Sequence, residues 1–287
     1  MTSAASPKIA CITMDIEPDP PMAEGRVRLF EDESLMDALA AALDRHGVKL
    51  TGFVVMSMLE RHADALERMR GRLPIEFEVH SFSHDQTNAC SREEIERSVE
   101  TYRRHWGESP RGYRAPNGLI DPGGVAALLD SGFRYDTSVF PSVRFDEYGY
   151  NHFRFPREPV RLTRGEASLI EIPLAALRGL RLIYSLSYVK LLGPAAFRAL
   201  ISAFPLPDVA VIDTHPYDFY TPRVVGGVKK RWKRAAHLRN GDRAFEVFGG
   251  MLRALADRGY AFHYMSEACA MAESRADLRA MPIEAVA

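Results

Sequence analysis

Short runs rich in Val, Ile and Phe alternate along the chain with longer segments of helical period. Residues 8–14 precede a helical segment at 34–45, 49–56 precede 59–69, and 75–79 precede 91–106. The rhythm is that of parallel β/α units. It continues through strand-like segments at 112–114, 133–138, 169–172, 209–213 and 261–264, and helical segments from Pro122 and over 197–204 and 244–258. Ser91 with Glu94 three residues later predicts a helix cap, and Gly47 and Gly132 stand where helices should stop. Residues 149–165, rich in Pro and Arg and without periodicity, are predicted to form a long loop inside the domain. The pattern therefore predicts one α/β domain, either a barrel or an open sheet.

Composition narrows this picture. With 46% hydrophobic and 26% charged residues in a chain of 287, a large core can be buried without a membrane span. A formal net charge of −1 leaves no basic field to hold a nucleic-acid backbone, so nucleic acid is not expected as a partner. Three separated cysteines, Cys11, Cys90 and Cys269, suggest reduced thiols rather than a disulfide framework. Met1–Pro7 lacks the apolar core and cleavage site of a signal peptide, so a cytoplasmic location is expected, with a peripheral contact at the inner face of the membrane.

The candidate chemistry falls at the carboxyl ends of predicted strands. Asp15 and Glu17 follow the first strand, His80 and His84 the third, Arg114 the fourth, and His215 a late one. Parallel α/β folds gather those ends on one face, so these residues should converge. A His pair four apart arises by chance often enough that His80-Ser-Phe-Ser-His84 gains meaning only from its place after a strand. Read as a helical turn, the spacing puts both imidazoles on one face, suited to a divalent metal. Asp15 and Glu17 alternate on a strand end and can point the same way, with Glu17 or Asp19 as the acidic ligand. Two His and one carboxylate leave coordination sites open, as in a catalytic centre, and a second acid beside them can act as base. Arg114 begins a rigid Pro- and Gly-bearing turn that includes Asn117, and His215 is placed to protonate an amine leaving group.

Taken in order, Asp15-x-Glu17, His80-Ser-Phe-Ser-His84, Gly-Tyr-Arg114-Ala-Pro and Thr-His215-Pro resemble the polysaccharide deacetylases with the NodB homology domain. The branch associated with exopolysaccharide and exosortase gene clusters is the most similar. Supporting stretches are Tyr135-Asp136-Thr-Ser-Val-Phe-Pro141 and Leu169-Ile-Glu171-Ile-Pro173, so the resemblance spans about residues 9–268 of a single 1–287 domain. It implies a distorted (β/α) barrel and a zinc-type hydrolase, with Fe²⁺ or Co²⁺ able to take the same ligands. It further implies Asp15 as general base, Glu17, His80 and His84 as metal ligands, Arg114 as the residue that orients Asp15, the Asn117 backbone N–H at the oxyanion, and His215 as general acid. Relatives place Leu just before the acid His, lining an acetyl pocket, where this chain has Asp213 and Thr214. Asp136, Glu171 and Asp218 are all candidates to orient His215.

The expected activity is removal of an N-acyl group, acetyl in the first instance, from an amino sugar in a glycan or a nucleotide- or lipid-linked precursor. A small non-sugar amide and a non-catalytic glycan-binding role are the alternatives. Lys229, Lys230, Arg231, Lys233 and Arg234 form a basic cluster suited to a substrate phosphate or to solvated surface. Residues 177–204 are apolar but interrupted by charges, Gly193 and Pro194, and read as core helix rather than a membrane span, with a lipid-facing flap as the alternative.

Overall fold

A computed structural model describes residues 7–20, 22, 25–145, 149–220 and 238–287. Its strands are β1 Lys8–Ile16, β2 Leu50–Val54, β3 Ile75–Val79, β4 Gly112–Tyr113, β5 Tyr135–Asp136, β6 Val143–Arg144, β7 Tyr150–Asn151, β8 Val160–Arg164, β9 Ala167–Glu171, β10 Val209–Thr214, β11 Tyr260–Phe262 and β12 Ala280–Pro282. Helices Glu33–His46, Leu59–Arg72, Arg92–Trp106, Pro122–Asp130, Pro194–Ala203 and Ala244–Ala256 lie between them. After Lys8 every residue of β1 is buried, as a strand covered on both faces requires.

The sheet runs β10-β1-β2-β3-β4-β5-β9-β8-β12, parallel from β10 to β9 and ending in the antiparallel β8–β9 hairpin. A parallel bridge between Leu174, just beyond β9, and Val211 of β10 joins the two ends of the seven-strand path, with Ala175 N–H donating to Val211 O at 2.9 Å. The result is a parallel barrel closed by one irregular seam, the predicted distorted (β/α) barrel. Alternation along β1 sends Ala10, Ile12, Met14 and Ile16 into the core that packs the helices. Ile9 and Cys11 point the other way, into a second cluster with Phe53, Tyr135, Ile170, Ile172, Val209 and Val211, which fills the barrel. The next positions on that inner face are Thr13 and Asp15, so one end of the barrel is apolar and the other carries polar groups.

Helix ends follow the sequence signals. The Ser91 side chain accepts from Glu94 N–H, and Gly47 closes the helix Glu33–His46 in the left-handed conformation at φ 59°. Residues 149–165 depart from expectation. They hold β7 and β8 rather than a continuous loop, because Val160 and Leu162 alternate with partly exposed Arg161 and Thr163 and pair with β9. The signal was a five-residue alternation obscured by the preceding prolines. Residues 177–204 contain two short helices, Leu186–Leu192 and Pro194–Ala203, divided at Gly193 and Pro194. Among the described residues no helix is long and apolar enough to cross a membrane.

Gly112 on β4 is required by its neighbour. A Cβ there would lie 2.0 Å from the ring of Tyr135, which is fully buried and has no room to retreat. Gly112→Ala is expected to destabilise the protein by about 1–3 kcal/mol through overpacking, read as a lower urea midpoint. An unchanged midpoint would show that the ring yields.

Candidate active site

The polar end of the barrel is organised around Arg114, the residue after β4, whose side chain is 1% exposed. Its Nη1 donates to Asp15 Oδ1 at 2.7 Å, Thr13 Oγ1 at 2.8 Å and Asp213 Oδ1 at 3.3 Å, and its Nε donates to Thr137 O at 3.3 Å. The guanidinium carbon lies 4.3 Å from the centre of the Phe53 ring. A buried guanidinium satisfied this way is a fixed strut, and Asp15 is held at its end.

Three donors gather beside that strut. Glu17, His80 and His84 each offer an atom within 4.8 Å of the other two. His84 Nε2 lies 2.6 Å from Glu17 Oε2, and His80 Nε2 lies 3.9 Å from the same oxygen. His80 Nδ1 is 2.8 Å from Arg114 O, so its N–H points at that carbonyl and Nε2 is left with a lone pair facing the acids. Burial lowers the His80 pKa to about 4 against the opposing pull of Asp15 and Glu17, which keeps the imidazole neutral at ordinary pH. Burial alone would raise Glu17, but the hydrogen bond from His84 and the charges of three histidines hold it down at about 2. Tyr217 O–H also donates to Glu17 Oε1 at 2.6 Å. A neutral imidazole with an anchored N–H, a second imidazole and an ionised carboxylate form a donor set that fits a divalent metal of the zinc type.

The His80–His84 segment is not the expected helical turn. Ser81 and His84 adopt φ 60° and 59°, and the rings converge at 5.2 Å through a loop. Backbone bonds from Met56 to Ser81 and from Ser57 to Phe82 hold that loop, as do both Ser83 N–H and Ser83 O–H donated to Glu94 Oε2 at 2.9 Å. Glu94, the predicted partner of the Ser91 cap, thus braces the His loop.

His215 closes the site from β10. Its Nδ1 is 3.3 Å from Asp218 Oδ2, which also accepts from the His215 backbone N–H at 3.0 Å. Asp218 in turn accepts from Ser187 O–H at 2.7 Å and lies 3.7 Å from the buried Lys190 ammonium. Burial disfavours the imidazolium, but Asp213, the Asp218 hydrogen bond and Glu17 together raise the His215 pKa well above its usual value. Nε2 faces inward, 3.8 Å from Asp213 Oδ2 and 3.9 Å from Glu17 Oε1. Asp213 is pushed up to about 7 by burial and then by Asp15.

Six of the seven residues named from sequence therefore stand together: Asp15, Glu17, His80, His84, Arg114 and His215. Asn117 occupies the adjoining turn at φ 55°, its carbonyl and side-chain oxygens each 3.3 Å from Arg144 Nη1. Asp19 turns away, accepting from Arg28 N–H at 2.8 Å and from Tyr220 O–H, which leaves Glu17 with the histidines. Of the three acids considered beside His215, Asp218 touches it. Asp136 and Glu171 lie on β5 and β9, paired with each other. Tyr217 and Lys190 were not assigned site positions from sequence, and Asp213 was placed only at the acyl pocket. Proximity to His215 could have flagged Tyr217, whereas Lys190 sits in a helix without a local signal. The basic cluster 229–234 lies outside the described residues.

The acids and imidazoles stand at the carboxyl ends of the strands of a parallel barrel, the face on which such folds keep their active sites. The sequence model described as polysaccharide deacetylase matches residues 3–135. The amino-terminal part of the chain thus carries a polysaccharide deacetylase domain, which supports a hydrolase of the deacetylase class. Among solved structures, it is similar to one of the polysaccharide deacetylase type from Mycobacterium smegmatis, at 18% identity and TM-score 0.58 over 94% of this chain and 92% of that one. A family 4 carbohydrate esterase from Streptomyces lividans, solved in complex with acetate, matches at 12% identity and TM-score 0.51 over 90% and 93%. A family 4 pseudoenzyme from Bacillus anthracis matches at 12% and 0.53 over 97% and 70%. No protein of curated function matches the chain in sequence. At these identities the structural likeness shows the fold, and the chemistry has to be argued from the residues.

Changing His80 and His84 together to Ala should abolish stoichiometric binding of a divalent ion while the barrel stays folded. Metal analysis of the purified double variant checks this, and full metal content would overturn the ligand assignment.

Proposed function

We propose that this chain hydrolyses the N-acyl bond of an amino sugar, releasing acetate from an N-acetylated glycan or glycan intermediate. One observation carries the reading: Arg114 holds Asp15 2.7 Å away while Glu17, His80 and His84 converge beside it, so an acid is kept next to a ligand set without being absorbed into it. The three ligands would hold one divalent ion, zinc in the first instance, which when bound supplies polarisation of the amide carbonyl.

The chain's own residues supply the rest. Asp15, aligned by Arg114, takes the proton of the attacking water. The backbone N–H of Asn117 donates to the oxygen of the tetrahedral centre. His215, held as an imidazolium by Asp213, Asp218 and Glu17, gives its Nε2 proton to the departing nitrogen, and Asp218 keeps Nδ1 protonated and the ring in place. The product is a free amine, and the acyl group leaves as a carboxylate.

We place the substrate among phosphate- or lipid-linked precursors in the cytoplasm, with Lys229–Arg234 as the phosphate contact. The test measures acetate release from free N-acetyl oligosaccharides, their diphosphate-linked forms and small non-sugar amides. Turnover of sugar amides supports the reading, and turnover of non-sugar amides alone contradicts it. Preference for the diphosphate form, lost when Lys230 and Arg231 become Glu, supports the finer assignment. Equal turnover unaffected by that reversal removes it.

Asp15→Asn should retain the metal and lose activity by about 10²–10⁴-fold, the usual contribution of a general base. Loss of metal would make Asp15 a ligand instead. The His215 contribution has a definite sign: its raised pKa keeps the acid protonated at lower pH, and activity falls as pH rises through that value. His215→Ala should remove this basic limb from the pH profile of kcat. An unchanged profile would leave His215 with no acid role.

A further inference from the structure

Asp136 and Glu171 are fully buried on β5 and β9, and they stand opposite each other in the parallel register. One oxygen of each is engaged. Ser138 O–H donates to Asp136 Oδ1 at 2.5 Å, and Val139 N–H donates to Glu171 Oε1 at 3.0 Å. The other two, Asp136 Oδ2 and Glu171 Oε2, are buried and reached by no donor among the described residues, although the two side chains bond each other. Two ionised carboxylates bonded side by side would repel each other with neither supplying a donor, whereas one proton between them satisfies both.

We infer that Asp136 and Glu171 share a single proton, and that this neutralised pair acts as a positioning clamp on the turn that seats Arg114. The chain of contacts is short. The pair fixes Ser138 and Val139; Ser138 Oγ accepts from Ala115 N–H at 2.8 Å; and Thr137 O receives Arg114 Nε at 3.3 Å. Arg114 then sets Asp15. The clamp therefore lies outside the barrel interior and acts on the site only through the 137–139 turn. Burial pushes Asp136 up to about 6 and, with Asp136 beside it, holds Glu171 well above the usual carboxylate range, which agrees with a proton retained near neutral pH.

The clamp's link to rate rests on the proposed role of Asp15, but its proton can be observed without any substrate. Infrared spectroscopy of the full-length protein at pH 7 should show a protonated-carboxyl stretch that is lost in Glu171→Gln. Glu78 and Asp213, raised to about 8 and about 7, contribute bands that remain in both proteins and cancel in the difference spectrum. Gln carries an N–H₂ where the shared proton stood, so this variant should keep its metal and turn over N-acetyl oligosaccharide within about 2-fold of the parent, as a net hydrogen bond is preserved. Glu171→Leu removes donor and acceptor together; it should retain the metal but lower kcat by about 10²-fold with KM little changed, the cost of a misplaced catalytic group. Absence of a band sensitive to Glu171→Gln would overturn the shared proton even if Glu171→Leu fails to fold. A band that is lost while Glu171→Gln falls as far as Glu171→Leu would overturn the clamp. If no substrate in the panel is turned over, the infrared result still decides the proton, and the failure belongs to the proposed reaction.

Discussion

A guanidinium buried inside a barrel has no water to solvate it, and everything at the polar end of this molecule is arranged to make Arg114 tolerable. Isolated burial of such a charge would be prohibitive, so it is ringed by Asp15, Asp213, Thr13, Thr137 and the face of Phe53. The same contacts do the positioning. Asp15 is tied to the cation rather than left to collapse onto His80, 3.7 Å away. His80 is aimed by the carbonyl of Arg114 itself, so one residue orients both a ligand and the adjoining acid. Tuning follows from proximity: the acids that crowd His215 keep it cationic, while burial keeps His80 neutral.

Much of this was legible because the period-two alternation of β1 is unambiguous. An apolar strand running into Asp15 and Glu17 can place both on the inner face only if the barrel is polar at that end, and apolar runs before His80 and His215 carry the same message. The conformation of the His80–His84 loop was not legible. A four-residue spacing is the same in a helical turn and in a loop with two positive-φ residues, and what distinguishes them is Glu94, recruited from a distant helix cap. Likewise Asp136, Glu171 and Asp218 were equivalent in sequence. Only the register of β5 on β9 shows that two of them satisfy each other, leaving Asp218 for His215.

The division between fold and chemistry is sharp here. A family 4 pseudoenzyme has nearly the same likeness to this chain as an esterase does, so the barrel by itself does not decide whether catalysis occurs. What argues for activity is that a base candidate, an acid candidate, their orienting partners and an open ligand set are all present and mutually spaced for work on one bond. Asp213, a carboxyl group between Arg114 and His215, gives that side of the site a hydrogen-bonding character.

The central claim is the separation of roles between a ligand set and an acid held beside it by Arg114. Anomalous diffraction from crystals of the zinc-loaded protein, recorded on both sides of the zinc absorption edge, tests it most directly. The predicted result is a single ion bonded to Glu17, His80 Nε2 and His84 Nε2, with Asp15 still on Arg114 and outside bonding distance of the ion. An ion bonded instead among Asp15, Asp213 and His215, the neighbouring group of possible ligands, would contradict it.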